Sequence, residues 1–393
     1  MSLSSNGIPS DTVIEILTRL PSATAVARCR CVSTSWRSLL SDPDFLLKIF
    51  LFDGTRCGGG DRNNKIMIIR LLHRKTVPVF SLRSADALMS SLYVAPIPLY
   101  PHGYGSTVGD GFSVAGYSEG IFCITVGWER QQDVHLWNPA TSETKLLPRP
   151  PPFSSLVFGF DPKTSDFKVV RVCTDADHRY THVYSLRNGS WGHESKHEGM
   201  GLNYLGLGRN EVEQPIVESK AGRCYLWHWE QQNMRARILC YDLTREALSV
   251  GYVAGPRAKP GCRVRSMSIS KGFLVAITDD GGGSGFEVWV AMGFGESSLS
   301  SSLLKVFDVV PQLGPEFRNW VPSWAAWADN KCFYLFRHVG YNPYYDRADH
   351  ATLLGAFDVK TGRARDFGAR SGWNEVRSVV TYVGSEVSLS SFD

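Results

Sequence analysis

The sequence has no concentrated block of basic residues, and this absence bears on its partners. Its 42 lysines and arginines and 38 aspartates and glutamates are spread over 393 residues and leave a formal net charge of +4. A protein that binds nucleic acid normally gathers basic residues into a stripe or patch. The even distribution therefore predicts that nucleic acid is not a partner of this chain.

Disulfide-forming and membrane-spanning patterns are also missing. The nine cysteines contain no C-x-x-C pair, and an odd number cannot all be paired in disulfides within one chain. Scattered over a chain of this length, they are expected to be small buried hydrophobic residues. The first ten residues lack the basic and apolar regions of a secretory signal. The longest uncharged run, residues 87–109, contains three prolines and cannot form a membrane helix. We therefore expect a cytoplasmic or nuclear location, or both, and no membrane partner.

Motifs with catalytic or metal-binding meaning are scarce. The phosphate-binding loop G-x-x-x-x-G-K-[ST] is absent. The pattern H-E-x-x-H does occur, from His193 to His197, and on a helix it would place two imidazoles on one face for zinc. Glycines surround it and no apolar face accompanies it, so we interpret it as an exposed hairpin loop. The sequence therefore predicts a chain that is not an enzyme, with no metal and no cofactor.

Strand and turn formers are what the sequence has in abundance. Its 37 glycines, 20 prolines and 12% aromatic residues favour a mainly β protein. Apolar runs bounded by glycine-rich or proline-rich turns predict individual strands. The clearest of these lie at residues 66–72, 121–126, 167–173, 273–278 and 332–336.

One degenerate sequence motif recurs after residue 65: an aromatic anchor, a turn-forming pair and a polar tail. The anchors are Phe80, Trp137, Tyr184, Tyr241, Trp289 and Phe357. Their spacings are 57, 47, 57, 48 and 68 residues, which is the scale of propeller blades, with repeats of about 40 to 50 residues and several strands each. The pattern predicts a β-propeller-like domain of about six irregular blades. An irregular pair of β-sandwiches is the alternative.

Residues 8–50 differ from the rest because their apolar pattern is helical. Apolar residues at i, i+3, i+4 and i+7 from Val13 predict a helix capped by Ser10 and stopped by Pro21. Three further short helices follow, of which the middle one is capped by Ser33. A unit of about 40 residues seldom folds on its own core. Its surplus apolar surface either packs on the rest of the chain or is covered by another protein.

The same segment contains short motifs with a defined order and spacing: Ile8-Pro9, Leu20-Pro21, Cys31-Val32-Ser33, Trp36-Arg37-Ser38-Leu39 and Asp42-Pro43-Asp44-Phe45. In these motifs the segment resembles the F-box, in the form found in plants. An F-box implies that the helices bind a Skp-family adaptor and, through it, a cullin. The residues expected to contact the adaptor are Ile8, Pro9, Leu17, Leu20, Pro21, Val32, Trp36 and Leu39. A large aromatic such as Trp36 is of the kind that dominates interface energetics.

Four segments of the remainder, at residues 119–124, 136–141, 158–162 and 166–171, carry a second resemblance. In these segments the remainder resembles the F-box-associated domain of plant proteins. The resemblance implies a small all-α F-box at residues 1–50 and a flexible connection at 51–65. A large, mainly β, propeller-like substrate-recognition domain would then occupy residues 66–390.

Together the two resemblances imply the substrate-recognition subunit of a Skp/cullin/F-box (SCF) ubiquitin ligase. Such a subunit recruits a protein target for ubiquitination and proteasomal degradation. The family includes the S-locus F-box proteins of pollen, and membership of that subgroup would make the target a secreted ribonuclease. The alternative is a propeller enzyme, or a receptor for a glycan or small molecule, with a helical appendage. A third reading combines an F-box with a β domain that binds a sugar or hormone.

A tyrosine-rich stretch near the C-terminal end is the candidate for target recognition. Tyr341, Tyr344 and Tyr345 lie in a polar segment that also contains Pro343. A loop that carries rigid amphipathic rings beside mixed charges is suited to binding another protein. We therefore predict that these three tyrosines contact the target.

Overall fold

The computed structural model contains 25 strands, two α-helices and a final 3-10 turn in the part of the chain that it describes. The predicted order, a small helical segment followed by a large mainly β region, is confirmed. The described residues are 10–18, 29, 31–40, 45, 65–72, 78–84, 91–97, 112–127, 132–149, 155–174, 178–197, 214–220, 222–230, 235–254, 264–270, 273–279, 286–291, 301–309, 324–327, 332–338, 352–358, 363–366, 374–382 and 384–392.

Two short helices lie in the N-terminal segment, α1 (Ser10–Thr18) and α2 (Thr34–Leu39). The predicted cap of α2 is confirmed, because the Ser33 hydroxyl accepts a hydrogen bond from the Trp36 backbone N–H at 3.1 Å. The other two predicted helices lie almost entirely outside the described residues. Within the described part of the chain, no helix has the length and apolar character needed to cross a membrane.

The strands form six antiparallel units, numbered here as blades. Blade 1 consists of β1 (Lys65–Leu72), β2 (Pro78–Ser84), β3 (Ser91–Pro96) and the last strand, β25 (Asn374–Tyr382). Blade 2 consists of β4 (Ser113–Ser118), β5 (Ile121–Val126), β6 (Asp133–Asn138) and β7 (Glu143–Leu146). Blade 3 consists of β8 (Ser155–Asp161), β9 (Asp166–Thr174), β10 (Arg179–Ser185), β11 (Ser190–Trp191) and β12 (Ser195–His197).

The second half of the β region supplies three more blades. Blade 4 consists of β13 (Gln214–Lys220), β14 (Arg223–Glu230), β15 (Arg235–Asp242) and β16 (Ala247–Ala254). Blade 5 consists of β17 (Val264–Ser270), β18 (Phe273–Asp279), β19 (Phe286–Ala291) and β20 (Ser301–Val309). Blade 6 consists of β21 (Trp324–Trp327), β22 (Cys332–His338), β23 (Thr352–Asp358) and β24 (Arg363–Asp366). All five strands expected from the sequence are present, to within two residues at each end.

The six blades close into a ring around their inner strands. The inner strands are β25, β4, β8, β13, β17 and β21, and each contacts the inner strand of the next blade, including β21 with β25. Both ends of the β region close the ring, since β25 pairs antiparallel with β1 from Lys65 opposite Tyr382 to Leu72 opposite Asn374. A closed ring of blades, here with four strands each and five in blade 3, is a β-propeller. The alternative of paired β-sandwiches is therefore wrong.

The six aromatic anchors mark the blades, because each lies on the third strand of a different blade. Phe80 is on β2, Trp137 on β6, Tyr184 on β10, Tyr241 on β15, Trp289 on β19 and Phe357 on β23. Trp137, Tyr184 and Tyr241 are buried, as core residues that recur once per blade should be. The expected number of about six blades is confirmed.

A shared turn explains the turn-forming pair and polar tail after Trp137 and Tyr241, and the same turn occurs in the hairpin of β8 and β9. In three hairpins an Asn or Asp side chain accepts a hydrogen bond from the backbone N–H two residues later, and the residue four positions later has positive φ. The pairs are Asn138 with Ser142 (φ 58°), Asp161 with Ser165 (φ 50°) and Asp242 with Glu246 (φ 52°). Such Asx turns compete well with other conformations at strand ends.

Apolar clusters fill the spaces between neighbouring blades. Between blades 1 and 2, five rings have neighbouring centroids 4.6 to 6.4 Å apart: Phe80, Tyr117, Phe122, Trp137 and Tyr382. Further clusters join blades 2 and 3, blades 3 and 4, and blades 4 and 5. The described core is therefore divided into layers, one at each of these four blade interfaces.

Candidate functional site

The N-terminal segment leaves large apolar side chains uncovered. Ile16 on α1 is 54% exposed, and Val32, just ahead of α2, is 65% exposed. Trp36 and Leu39 on α2 are half-buried. Scattered apolar side chains are normal on a surface, but several in one small segment indicate an interaction surface.

The predicted adaptor-binding residues fall into three groups. Val32, Trp36 and Leu39 are exposed or half-buried, as an interface residue must be. Leu17 is only 1% exposed, because it lies one helical turn from buried Val13 and shares its inward face. Its side chain is therefore covered within the chain, whereas the side chain of the neighbouring Ile16 is exposed. Outside the described residues lie Ile8, Pro9, Leu20 and Pro21.

Backbone hydrogen bonds fix the chain on both sides of Val32. The Val32 N–H donates to the Cys29 carbonyl at 3.1 Å, and the Arg37 N–H donates to the Ser33 carbonyl at 2.9 Å. A surface whose backbone is already ordered loses less conformational entropy when a partner immobilises its side chains. The exposed Val32 side chain is therefore presented in a preorganised turn.

The residues predicted to contact the target, Tyr341, Tyr344 and Tyr345, lie outside the described residues. Their role stays a prediction.

Two of the segments that resemble the F-box-associated domain, residues 158–162 and 166–171, contribute side chains that hold neighbouring blades together. Lys168 Nζ lies 3.1 Å from Asp161 Oδ2 within blade 3 and 3.1 Å from Glu246 Oε1 in blade 4. It also donates to the Leu243 carbonyl in blade 4 at 2.8 Å. The sequence drew attention to these residues through the resemblance, without showing that they bridge two blades.

The carboxylate of Asp161 stays ionised in this buried position. Burial acts to raise its pKa, but hydrogen bonds from Thr244 at 2.6 Å, Thr164 at 2.8 Å and Lys168 outweigh burial and hold the pKa well below its usual value. The hydrogen bonds that Lys168 donates to the Glu246 and Asp161 carboxylates likewise outweigh burial and raise the pKa of Lys168. Both charges therefore persist at neutral pH.

A second polar cluster, which the sequence did not indicate, lies on blade 3. The Arg171 guanidinium makes a close contact with His182 Nδ1, and Glu194 Oε2 lies 3.4 Å from that nitrogen. Arg171 also donates to Cys173 Sγ at 2.9 Å. Burial and the Arg171 charge lower the pKa of His182, so its imidazole is neutral at pH 7. The cluster joins β9, β10 and the turn before β12.

The H-E-x-x-H pattern is not helical. His193 and Glu194 lie in an exposed turn, as expected, but Ser195–His197 forms β12 and pairs with β10, which corrects the hairpin-loop interpretation at that end. His197 Nε2 lies 2.8 Å from Thr181 Oγ1. The two imidazoles therefore do not share a helical face. Among the described residues, no group of three His, Cys, Asp or Glu side chains is placed to hold a metal ion.

The sequence also contains the G-x-S-x-G pattern of a nucleophile elbow at residues 116–120, which the prediction of a non-catalytic chain did not take into account. An elbow needs a strand-to-helix turn that exposes the serine. Here Ser118 ends β4, Glu119 and Gly120 make the tight turn into β5, and the buried Ser118 hydroxyl accepts a hydrogen bond from the Phe160 N–H at 3.1 Å. The pattern is a hairpin, and Ser118 has a structural bond.

Two family models match the chain. The F-box domain matches residues 6–48, and the F-box associated beta propeller domain matches residues 110–389. The second match covers well over half of the chain and agrees with the six-bladed ring. The chain belongs to the family of F-box proteins that carry an F-box associated beta propeller domain.

The curated relatives are F-box proteins of Arabidopsis thaliana. An F-box/kelch-repeat protein is 26% identical over 326 residues, which cover 77% of this chain and 80% of that protein. Another F-box protein is 28% identical over 194 residues, 47% of this chain and 43% of its own length. F-box only protein 12 is 66% identical over 35 residues, 9% of this chain and 8% of that protein. Several of these relatives are matched over less than half of their length.

Solved structures resemble the chain only distantly. TolB from Acinetobacter baumannii aligns with a TM-score of 0.47 and 8% identity, covering 86% of this chain and 70% of TolB. A prolyl endopeptidase aligns with a TM-score of 0.38 and 13% identity, covering 94% of this chain and 54% of the enzyme. Similarity at this level carries no information about function.

Proposed function

We propose that the chain is the substrate-recognition subunit of an SCF-type ubiquitin ligase. The observation that carries the proposal is the F-box match at residues 6–48 combined with the exposed Ile16 and Val32 in the same segment. Large apolar side chains that a small segment leaves in water gain free energy when a partner covers them. The partner is a Skp-family adaptor and, through it, a cullin.

The proposed adaptor-binding surface consists of two groups of F-box residues. The first group is exposed or half-buried in the structure, and the second group lies outside the described residues. Among the described residues of this surface, Ile16 and Val32 are exposed, and Trp36 and Leu39 are half-buried. The whole surface consists of Ile8, Pro9, Ile16, Leu20, Pro21, Val32, Trp36 and Leu39. In such a surface a few well-packed apolar anchors provide most of the binding free energy.

The chain divides into an adaptor-binding part and a target-binding part. Residues 1–50 form the F-box, residues 51–65 connect it, and residues 66–390 form the propeller. The family match begins at residue 110, but β1 begins at Lys65 and pairs with β25, which supports a propeller that starts near residue 65.

The propeller presents loops to a protein target, with Tyr341, Tyr344 and Tyr345 among the contacts. Associated subunits carry out ubiquitin transfer, and this chain contributes by holding a target lysine near the charged conjugating enzyme. Proximity of this kind raises the effective concentration of the reacting groups without any catalytic residue here. The complex would act in the cytoplasm, the nucleus or both, and the ubiquitinated target would be degraded by the proteasome.

Co-purification with a Skp-family adaptor tests the proposal. The full chain is expected to retain the adaptor through gel filtration, and a chain without residues 1–50 is expected to lose it. Circular dichroism of the shortened chain checks that the propeller remains folded. Retention of the adaptor by the shortened, folded chain would refute the proposed division of roles.

A further inference from the structure

The chain continues past the strand that closes the ring. After β25 ends at Tyr382, residues 384–392, here called the strap, leave blade 1 and lie against blade 2. The strap contains no strand and ends in a short 3-10 turn, Ser390–Phe392. The last strand already closes the propeller, so the strap's contacts are additional to ring closure.

Polar side chains of blade 2 hold the strap backbone at both ends. The Asn138 side-chain amide donates to the Ser385 carbonyl at 3.1 Å and to the Val387 carbonyl at 2.7 Å. Lys145 Nζ donates to the Phe392 carbonyl at 3.1 Å. All three bonds are accepted by backbone carbonyl oxygens of the strap, so they fix the path of its backbone.

One carboxylate, that of Glu143 on β7, anchors the middle of the strap. It accepts hydrogen bonds from the Ser388 hydroxyl at 2.8 Å, the Leu389 N–H at 2.7 Å and the Ser390 hydroxyl at 3.1 Å. The Ser388 and Leu389 bonds lower the pKa of Glu143. Two serine hydroxyls therefore face a carboxylate that is charged at neutral pH.

The anchored residues place an apolar side chain in the core. Leu389 is 1% exposed and packs in the cluster between blades 2 and 3, together with Phe158 and Tyr184. Val387 and Phe392 pack on the edge of the same cluster. The strap therefore links the closing strand of blade 1 to the interface of blades 2 and 3. Release of the strap would expose that interface.

We propose that the strap is a charge-controlled latch, in which Ser388 and Ser390 are phosphoacceptor sites whose phosphorylation releases the strap from Glu143. A phosphoryl group carries a charge of about −1.5 to −2 at pH 7 and accepts hydrogen bonds without donating one to a carboxylate. Placed within hydrogen-bond distance of Glu143, it removes a donor and adds like-charge repulsion. Because Leu389 lies between the two serines, its side chain leaves the core when they move away.

The chemistry requires a serine kinase and ATP. The serine Oγ attacks the γ-phosphorus, the new Oγ–P bond forms, and the bond from the γ-phosphorus to its bridging oxygen breaks. ADP leaves, and the hydroxyl proton is lost to a base on the kinase. Ser390 is exposed, which makes it the more accessible of the two acceptors.

Hydrogen–deuterium exchange of the C-terminal peptide in the full chain tests the latch. Ser390→Glu is expected to speed exchange of the strap about tenfold, equivalent to ~1.4 kcal/mol. Ser390→Ala removes the hydroxyl's bond to Glu143 and its contact with the Ser388 hydroxyl without adding charge, and should have a smaller effect. Ser391→Glu is the matched control, because Ser391 is also exposed but its hydroxyl donates to the Ser388 carbonyl and not to Glu143. A chain with phosphoserine introduced at position 390 by semisynthesis should exchange at least as fast as Ser390→Glu.

Charge reversal identifies Glu143 as the anchor. Glu143→Lys alone is expected to speed exchange of the strap, and Glu143→Lys combined with Ser390→Glu is expected to restore slow exchange. Exchange in β15 should remain at the wild-type rate in every variant, because the latch opens without unfolding blade 4. Wild-type exchange in Ser390→Glu, equal effects of Ser390→Glu and Ser391→Glu, failure of the charge reversal, or loss of protection in β15 would each overturn the proposal.

Discussion

Lys168 and Asp161 form a buried ion pair in blade 3, with 3.1 Å between Nζ and Oδ2. The Asp161 side chain is fully buried and that of Lys168 nearly so, while Glu246, which reaches Lys168 from blade 4, is half exposed. The pair lies where the hairpin of β8 and β9 meets that of β15 and β16. It therefore couples the folding of blade 3 to that of blade 4.

Replacing Lys168 by methionine keeps most of the packing and leaves the Asp161 carboxylate without its cation. Removing one partner of a buried pair costs about 3 to 5 kcal/mol of unfolding free energy. Glu246→Gln is the control, and its cost is about 0 to 1 kcal/mol because the lost charge is exposed. Urea unfolding, followed by tryptophan fluorescence, measures the unfolding free energy of both variants. Equal losses of unfolding free energy would show that the buried pair contributes no more to stability than the exposed charge of Glu246.

Gly189 closes the hairpin between β10 and β11 with φ of 64°, and a Cβ added there meets nothing within 4 Å. Its substitution by alanine therefore tests backbone conformation without a steric clash. We expect Gly189→Ala to lower the unfolding free energy by about 1 kcal/mol. Gly192→Ala, where φ is not in the left-handed region and the added Cβ lies 3.4 Å from the Val183 carbonyl, should change it little. The reverse order of effects would contradict this account of the turn.

Gly116 lies on β4 against Phe158 of β8, where the inner strands of blades 2 and 3 are in close contact. A Cβ there would lie 2.8 Å from Phe158 Cβ and 3.1 Å from the Phe158 backbone oxygen. Because these atoms belong to a strand and cannot rotate away, Gly116→Ala should force β4 and β8 apart and cost about 1 to 3 kcal/mol. Thermal unfolding of the variant measures the cost, and a wild-type melting temperature would show that the interface can adjust.

Acid should destabilise the propeller in two stages. Burial lowers the pKa of His135, His182 and His197, so the unfolded chain takes up protons at these histidines first. Stability is therefore complete above their ordinary pKa of about 6.5 and falls as the pH drops through that value toward the folded pKa. The carboxylates of Asp161 and Glu143 have lowered pKa values, so their contributions disappear only at lower pH, below about 4.

Urea unfolding at pH 7.5, 6.5 and 5.5 measures the first stage. The midpoint should fall as the pH decreases, and His135→Asn should reduce the fall because the buried imidazole no longer titrates. A midpoint that is constant over this range, or that rises toward pH 5.5, would contradict the assignment of neutral buried histidines.

The sequence predicted the propeller well because its signal is local and repeated. An aromatic anchor lies on the third strand of each blade, and in blades 2, 3 and 4 an Asn, Ser or Asp side chain that follows the anchor makes the turn. The six anchors define six blades without any knowledge of long-range contacts. The cap of α2 was predictable for the same reason, since Ser33 and Trp36 are three residues apart. Local hydrogen bonds and strand periodicity determine both features.

The features that the sequence did not predict depend on distant contacts. Whether Ile16 or Leu17 faces outward depends on what packs against α1, and both are apolar neighbours in the same pattern. Glu143 and Leu389 are separated by 246 positions, and a serine-rich end without periodicity gives no sign that it binds a blade. The contacts of Arg171 with His182 likewise arise only when β9 and β10 pair.

The central claim is that the exposed apolar surface of the N-terminal segment binds a Skp-family adaptor. Isothermal titration of the purified full chain with the adaptor tests it most directly, using Val32→Asp and, as matched control, Leu146→Asp, which changes an exposed leucine on β7 of the propeller. Loss of an apolar interface anchor costs about 2 kcal/mol or more, so Val32→Asp is expected to weaken binding at least about thirtyfold, with Leu146→Asp unchanged. Wild-type affinity in Val32→Asp would contradict the claim.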